Sequence, residues 1–258
     1  MQGTDVELAI DAVRAGMDVI QRTPGGQLRR IQKSAVDFAT AADLDAERAI
    51  RSVLRVRRPG DACTGEELGE SGGASSRMWL VDPLCGTRNF ASGAGDYGLN
   101  VALCIDGTPT VSAVGDPRRE LIHWTDGVTT GTRSEAGDQL LCPSAQNRII
   151  ELNADEPWDV VTSSLLGDRG LREWMTPRVS ATSLALAWVA AGHRAAYVND
   201  DDLRGSVHFA AGIALCTGAG CIVTDLRGDA VDSGHGLVIA ADHDVHSELL
   251  QRISDLSP

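Results

Sequence analysis

The sequence predicts an α/β or α+β fold in which helices and sheets form layers in both halves of the chain. Three observations support this class. Apolar residues recur at helical spacing near the N-terminus, short apolar runs in the middle indicate strands, and the last hundred residues alternate helix and strand patterns. We expect an N-terminal α+β half at 1–140 and a C-terminal α/β half at 141–258, which together form one compact structural unit.

The first half begins with two helices. Apolar residues at helical spacing predict a helix over 5–22, which Pro24 and Gly25 end. The same spacing predicts a second helix over 42–56, closed by Pro59-Gly60. Short apolar runs bounded by polar and turn residues then predict strands at 78–81, 98–105, 109–114 and 120–124.

The second half predicts alternating elements. Strands are expected at 158–162, 195–198, 221–224 and 237–240, and helices at 165–175, 182–192, 207–217 and 245–253. The stretch 127–153 has the weakest pattern of the chain. We therefore expect it to be the least structured part and to hold the boundary between the halves.

Composition excludes some classes of partner. Acidic residues outnumber basic ones by 36 to 23, for a formal net charge of −13. Surfaces that follow nucleic-acid phosphates need clustered Lys and Arg, so we expect no nucleic-acid partner. The apolar runs are shorter than the roughly 18 residues of a membrane span, and the six cysteines form no CxxC pair. The sequence thus predicts a cytoplasmic protein with reduced thiols and no membrane partner.

Three separated segments place acids and glycines at strand ends, where ligands bind in α/β sheets. They are Gly65-Glu66-Glu67, the run Asp82-Pro83-Leu84-Cys85-Gly86-Thr87, and the stretch 207–225 that begins Val207-His208. Gly86 permits a tight turn, and Thr87 then stands at a helix N-terminus. Each segment alone reads as a turn with capping residues, but together they indicate a site.

These segments resemble the inositol monophosphatase family, which includes fructose-1,6-bisphosphatases and nucleotide 3′-phosphatases. The run from Asp37 to Asp43 is similar to the D-x-x-T-x-x-D entry to the family's second helix. Residues 183–198 are similar to its Ala-rich helix and the strand that follows. The resemblance covers nearly the whole chain and implies a five-layered αβαβα sandwich.

The resemblance implies hydrolysis of a phosphate monoester by a metal-bound water, on a small sugar- or polyol-like substrate. Clustered carboxylates suit that chemistry because Mg²⁺ takes oxygen ligands. By the family pattern, Glu67 and Asp82 bind the first metal. Thr87 and Asp43 match the residues that orient the water.

Three further residues are candidate substrate contacts. Lys33, the only lysine of the chain, lies near the position of a family active-site lysine but one residue closer to Asp43. Asp201 matches an acid that contacts substrate hydroxyls, and Gly86 belongs to the turn between Cys85 and Thr87. For Lys33 and Asp201 the alternative is a solvated charge on the surface. Family members are often dimers, so a homodimer stays open.

The sequence departs from the family at the second metal. Cys85 replaces the second Asp of the D-P-x-D-G-T motif, and His208 replaces the Asp of the W-D-x-x-A-G motif. A thiol and an imidazole are poor ligands for Mg²⁺. The sequence therefore predicts a remodelled second metal site in an otherwise family-like pocket.

Three interpretations of Cys85 and His208 remain open. In the first, the protein is a phosphatase in which Asp82, Cys85 and His208 suit Zn²⁺, while Mg²⁺ or Mn²⁺ binds nearby at Glu67 and Asp82. In the second, the site is metal-free: Cys85 lies at a helix start with a lowered pKa and works with His208 in acyl transfer, elimination or cyclisation. In the third, the site is retired and the protein is a binding or regulatory relative. The retained acids argue against the third.

Overall fold

The first two helices begin at the residues that cap them. The computed structural model describes residues 3–23, 30–32, 38–153 and 160–256. Helix α1 (Asp5–Arg22) starts after Thr4, whose side chain accepts a hydrogen bond from the Glu7 amide. Helix α2 (Ala41–Arg57) starts after Thr40, which forms a capping box with Asp43. The predicted helices at 5–22 and 42–56 are confirmed.

The short antiparallel pair β1 (Arg30–Gln32) and β2 (Phe38–Thr40) lies between the two helices in the chain, and a large mixed sheet follows α2. Its strands are β3 (Ala62–Gly65), β4 (Gly69–Ser71), β5 (Arg77–Cys85), β6 (Gly98–Ile105), β7 (Thr108–Asp116), β8 (Leu121–Thr125), β9 (Thr130–Ser134) and β10 (Gly137–Leu140). They are ordered β10-β9-β8-β7-β6-β5-β3-β4, and only the β3–β5 pair among them is parallel. The four predicted strands are confirmed, with small shifts at their ends.

The prediction that 127–153 is the least structured stretch is wrong. It contains β9, β10 and a third strand, β11 (Ile149–Leu152). The β9–β10 hairpin turns at Glu135 and Ala136, and Gly137, which begins β10, has a φ of 105° that suits glycine. All four residues of β10 are exposed, so this strand lacks the alternation of apolar and polar residues that marks a half-buried strand.

The chain divides into two compact units. Unit 1 comprises Met1–Leu140 together with the short segments Thr182–Leu184 and Val207–Leu215. Unit 2 comprises Leu141–Ala181, Ala185–Ser206 and Cys216–Pro258. The segment that carries His208 therefore belongs to unit 1, although it lies late in the sequence.

The core of unit 1 lies between the two helices and the large sheet. Buried apolar residues of α1 and α2 pack on β5, β6 and β7. Gly16 marks the closest approach: a Cβ at this position would lie 2.6 Å from Leu99 Cδ2 and 2.9 Å from Ile50 Cδ1. Glycine is thus used here for its small volume.

Replacing Gly16 with Ala is expected to destabilise the protein by about 1 kcal/mol. Alanine favours a helix by about 1 kcal/mol, but overpacking a closed core costs about 1–3 kcal/mol. Urea denaturation measures the difference. Gly60→Ala is the control, because nothing lies within 4 Å of its Cβ position. A Gly16→Ala protein as stable as the wild type would contradict this account of the packing.

Unit 2 contains a five-stranded sheet. With β11, its strands are β12 (Thr176–Val179), β13 (Ala196–Asn199), β14 (Ile222–Thr224) and β15 (Leu237–Ala240), in the order β12-β11-β13-β15-β14. Strand β11 is parallel to β12 and β13, and β15 is antiparallel to β13 and β14. The predicted strands at 195–198, 221–224 and 237–240 are confirmed.

The remaining helices differ from prediction in several places. They are α3 (Thr87–Ser92), α4 (Val160–Gly167), α5 (Arg169–Trp174), α6 (Leu184–Ala190), α7 (Ala210–Gly218) and α8 (His243–Leu256). Helices α6, α7 and α8 confirm the expectations at 182–192, 207–217 and 245–253, although α7 begins only at Ala210. In the described part of the chain, no helix is both long and apolar enough to cross a membrane.

The predicted strand at 158–162 is wrong for the residues that the structure describes, because Val160–Gly167 is helical. Asp200 explains the difference. Its carboxylate accepts hydrogen bonds from the amides of Val161 and Thr162 at 3.0 and 3.2 Å, so a residue distant in sequence caps this helix. The predicted helix at 165–175 is broken at Asp168, whose side chain caps α5.

Candidate functional site

The site is built around Asp82, a fully buried residue near the carboxyl end of β5. Its Oδ1 accepts from the Leu84 amide at 3.0 Å, and its side chain is hydrogen-bonded to that of Glu66. The parallel pairing of β3 with β5 brings Glu66 there, and the Glu66 amide donates to Val81 O at 3.0 Å. Two carboxyl groups in such contact need a proton or a cation, because like charges repel.

Glu47, a fully buried residue of α2, holds the Gly65-Glu66-Glu67 turn. Its Oε2 accepts from the Glu67 amide at 2.7 Å, and its Oε1 accepts from the Leu68 amide at 3.2 Å. A Cβ at Gly65 would lie 2.0 Å from Glu47 Oε1, so this approach requires glycine. Glu47 was not among the residues that the sequence predicted for the site. Its signal is an acid on the inner face of α2, one turn after Asp43.

Asp43 and Thr87 meet through a hydrogen bond of 3.1 Å from Thr87 Oγ1 to Asp43 Oδ1. Asp43 is fully buried, and its Oδ2 accepts from the amide and the hydroxyl of Thr40. Burial raises the pKa of Asp43 above its ordinary value, against the lowering by the hydrogen bonds from Thr40 and Thr87. The structure thus brings the two residues of the predicted water-orienting pair together.

Asp82, Cys85 and His208 form a second cluster within unit 1. His208 Nδ1 lies 2.8 Å from Asp82 Oδ2, and the Cys85 side chain is hydrogen-bonded to His208. One ligand atom from each residue lies within 4.8 Å of the other two. Neither Cys85 nor His208 begins a helix, contrary to prediction: Cys85 ends β5, and His208 lies in the turn before α7.

The three side chains have different charge states. Burial raises the pKa of Asp82, but the charge of His208 and the hydrogen bonds from His208, Glu66 and Leu84 bring this pKa below its ordinary value. Burial lowers the pKa of His208, but Asp82 and then Cys85 raise it to about 12. Burial and the Asp82 charge raise the pKa of Cys85. The predicted lowering of the Cys85 pKa by a helix dipole is therefore wrong, and the cluster holds an ion pair beside a neutral thiol.

Two buried polar residues, neither of them predicted for the site, orient this cluster. Asn100 lies opposite Asp82 in the β5–β6 register, and its Nδ2 donates to Ser183 Oγ at 2.6 Å. The Ser183 amide donates to Cys85 Sγ at 3.2 Å. The hairpin register could have indicated Asn100, since cross-strand partners are neighbours. The part played by Ser183 depends on a contact across 98 residues of sequence.

The other predicted site residues lie in several places. Gly86 adopts a left-handed conformation with φ of 96° at the start of α3. Glu67 presents its amide to Glu47. Asp201 belongs to unit 2, where its amide donates to Asn199 Oδ1 at 2.9 Å. Lys33 lies outside the described residues. The functional roles of all four stay predictions.

Comparison with known proteins identifies the family. A model of the inositol monophosphatase family matches residues 2–257. The chain belongs to the inositol monophosphatase family. An inositol-1-monophosphatase of Mycobacterium leprae is 30% identical over 251 residues, covering 91% of this chain and 85% of the relative. One of Caulobacter vibrioides is 29% identical over 242 residues, covering 88% and 91%. A histidinol-phosphatase of Mycobacterium tuberculosis is 38% identical over 108 residues, covering 38% and 42%.

Solved structures confirm the predicted fold class, the layered sandwich of the inositol monophosphatases. The Thermotoga maritima IMPase superposes with a TM-score of 0.84 at 18% identity, covering 98% of this chain and 97% of that one. An inositol monophosphatase from Anabaena has a TM-score of 0.81 at 21% identity, covering 98% and 96%. At these identities the likeness establishes the fold alone.

Inositol monophosphatases depend on divalent metal ions, and this member has residues that can hold one. The contacting carboxyl groups of Glu66 and Asp82 fit a hard ion such as Mg²⁺, which takes oxygen ligands. The cluster of Asp82, Cys85 and His208 offers one oxygen, one sulfur and one nitrogen, which does not fit Mg²⁺. That donor set is typical of zinc.

Proposed function

We propose that this chain hydrolyses a phosphate monoester of a small sugar- or polyol-like metabolite with the help of a divalent metal ion. The hydrogen bond between Thr87 and Asp43 carries the proposal, because it joins the hydroxyl and carboxylate that would handle the attacking water. Relatives named inositol-1-monophosphatase and histidinol-phosphatase support a phosphorylated small molecule as substrate. A homodimer stays a prediction.

Glu66 and Asp82 would hold the first metal ion, since their side chains are in contact and both supply oxygen ligands. When bound, a divalent ion acidifies a water molecule and neutralises negative charge on the phosphate. This assignment replaces the predicted Glu67 with its neighbour. The support is the contact of Glu66 with Asp82, whereas the Glu67 backbone is engaged by Glu47.

Thr87 and Asp43 would receive the proton of the attacking water. The Thr87 hydroxyl can donate to Asp43 Oδ1 at 3.1 Å or to Leu84 O at 3.0 Å, which leaves its lone pairs for the water. The hydrogen bonds from Thr40 prevent Asp43 from turning away. Because burial raises its pKa, the Asp43 carboxylate is a stronger base than an exposed one.

Cys85 and His208 would make the second site selective for Zn²⁺. With Asp82 they supply three protein ligands, and a catalytic zinc site keeps its fourth position for water or substrate. One ring nitrogen of His208 must lose its proton before it can bind a metal, and Cys85 must ionise. With no ion bound, His208 is positively charged and pairs with the Asp82 carboxylate, so the protonation of the ligand set changes when a metal ion binds.

Zinc binding is therefore expected to release about two protons per ion at neutral pH, one from His208 and one from Cys85. Calorimetric titration of Zn²⁺ in buffers of different ionisation enthalpy measures this number. Cys85→Ser should weaken binding tenfold or more and reduce the release to about one proton. Cys142→Ser, at an exposed cysteine, is the matched control. Zinc binding that is identical in the two variants would contradict the assignment of Cys85 as a ligand.

A phosphate-release assay tests the proposed function. The wild-type chain is incubated with a panel of sugar, polyol and amino-alcohol phosphates in the presence of Mg²⁺, Mn²⁺ or Zn²⁺. We expect turnover of at least one ester with at least one metal. Release of no phosphate under any of these conditions would overturn the proposal and favour a retired site.

A second candidate function, thiol chemistry without metal, is favoured by one observation. The contacts run from Asp82 to His208 and from His208 to Cys85, an order found in cysteine–histidine nucleophile systems. The raised pKa of Cys85 argues against this thiol chemistry.

Alkylation with iodoacetamide decides between the phosphatase and the thiol enzyme. If the chain is a phosphatase, we expect Cys85 to react more slowly than Cys142 at pH 7. Faster reaction at Cys85 would support the thiol enzyme.

A further inference from the structure

A basic cavity lies in unit 1 beside α2 and apart from the residues of the candidate site. It has a volume of about 700 Å³ and is lined by four arginines, with Trp79 and Leu68 also in its wall. Arg48, Arg51, Arg55 and Arg58 are spaced three or four residues apart along α2 and the turn after it. That spacing places them on one face of the helix. In a chain of net charge −13, such a cluster is unusual.

The acidic groups around this cavity do not cancel the charge of its arginines. Arg55 has no ionic partner among the described residues. Arg48 pairs with Asp45 at 2.8 Å, but both side chains are more than half exposed, so water weakens the pair. Asp61, the one acid in the described lining, is engaged by Arg77 and by Trp79 Nε1. The cavity is therefore electropositive.

The two most buried arginines of the cavity are held in its wall by ion pairs. Arg58 pairs with Asp5 at 2.7 Å, and Arg51 pairs with Glu47 at 2.7 Å. Their guanidinium groups are held while Arg48 and Arg55 stay available. A planar guanidinium binds phosphate or carboxylate through paired hydrogen bonds, which a solvated lysine does not.

We propose that this cavity is a binding site for a small polyanion, a metabolite that carries two or more phosphate or carboxylate groups. Its volume is in the range of small-molecule sites. Two available arginines match two anionic groups, and the exposed Leu68 supplies an apolar part of the wall.

The same contacts connect the cavity to the candidate metal site. Arg51 lines the cavity and pairs with Glu47, and Glu47 accepts the amides of Glu67 and Leu68. Leu68 also lines the cavity. An anion held by Arg48 and Arg55 would also contact the cavity wall at Arg51 and Leu68, and would thereby steady the turn that carries Glu66. This regulatory role rests on the proposed function, whereas the binding itself does not.

Calorimetric titration of the full chain with inorganic pyrophosphate, without added divalent metal, tests the binding. We expect one site per chain. Arg55→Gln and Arg48→Gln should each weaken binding about tenfold or more, since a charge-assisted hydrogen bond contributes about 1.5–3 kcal/mol. Arg57→Gln is the matched control, because Arg57 lies on the same helix outside the cavity. No binding by the wild type, or equal binding by the Arg55→Gln and Arg57→Gln proteins, would overturn the proposal.

Hydrogen exchange of the backbone amides tests the connection without any turnover. With pyrophosphate bound, the amides of Glu67 and Leu68 should exchange more slowly, and those of the exposed strand β10 should not change. Unchanged exchange at Glu67 and Leu68 under saturating pyrophosphate would refute the coupling. Because neither experiment measures hydrolysis, its failure is distinct from failure of the proposed phosphatase activity.

Discussion

A Thr87→Val variant is expected to release phosphate about 10²- to 10⁴-fold more slowly than the wild-type chain, the range attributed to a positioned proton acceptor. Valine removes the hydroxyl that donates to Asp43 at 3.1 Å but keeps the shape of the side chain. Steady-state kinetics on the best ester of the panel measure the effect. We expect the loss mainly in kcat, since the hydroxyl acts on the water rather than on substrate binding.

Thr87→Ser is the matched control for this substitution. Serine restores the hydroxyl and should keep kcat within about tenfold of the wild type, a small loss on the scale expected for a missing proton acceptor. A thermal melt of both variants shows whether α3 still forms. Equal kcat values for the valine and serine variants would remove Thr87 from the mechanism. They would leave the fold and the metal ligands as the sole support for hydrolysis.

Glu47→Ala is expected to destabilise the protein by about 3–5 kcal/mol, the cost of removing one partner of a buried ion pair. Glu47 is fully buried, and the change leaves the amides of Glu67 and Leu68 without their acceptor. It also removes the carboxylate that pairs with Arg51, whose guanidinium keeps its hydrogen bonds to Ser71 Oγ and Gly69 O. Urea denaturation measures the loss. Metal affinity should also fall, because the turn that carries Glu66 is no longer held to α2.

Two further variants make this result specific. Glu47→Gln keeps an oxygen for one of the amides and should lose less stability than the alanine variant. Glu70→Ala changes an exposed glutamate of the neighbouring strand β4 and should shift stability by less than about 0.5 kcal/mol. If Glu47→Ala were no less stable than Glu70→Ala, the buried pair would not anchor the turn.

Local sequence patterns predicted the elements whose own residues determine them. The helix over 5–22 has its apolar face within the segment and its cap, Thr4, directly before it. The strands at 98–105 and 237–240 are short apolar runs. The helix that begins at Val160 escaped prediction because its cap is Asp200, 39 residues away. Strand β10 escaped because it is exposed and carries no alternation. The helix thus depends on a residue that is distant in sequence, and the strand has no buried face that its sequence could show.

The sequence could predict those site residues that lie close to one another in the chain. Asp82, Cys85 and Thr87 are close in the chain, and the structure keeps them close in space. Glu66 and Glu67 are adjacent, but neighbouring side chains in extended backbone point in different directions. Only the pairing of β3 with β5 shows that Glu66 meets Asp82. Glu47 and Ser183 come from distant segments, so no local pattern could reveal them.

The charge state of Cys85 also depends on contacts that a local sequence pattern does not reveal. A cysteine expected at a helix start should have a lowered pKa. The structure places it at the end of a strand, where burial and the Asp82 carboxylate raise the pKa instead. This difference moves the balance from the thiol-enzyme interpretation towards the metal-dependent one.

Metal-dependent phosphate release is the measurement that tests the central claim most directly. The wild-type chain and an Asp43→Asn variant are stripped of metal, and phosphate release is measured on the same ester as Mg²⁺, Mn²⁺ or Zn²⁺ is added. Asp45→Asn, at an exposed position of the same helix, is the control. We predict that phosphate release requires added metal. Its rate should fall at least 10²-fold in the Asp43→Asn variant and stay unchanged in the Asp45→Asn variant. Release that needs no metal, or that Asp43→Asn leaves unchanged, would contradict this account.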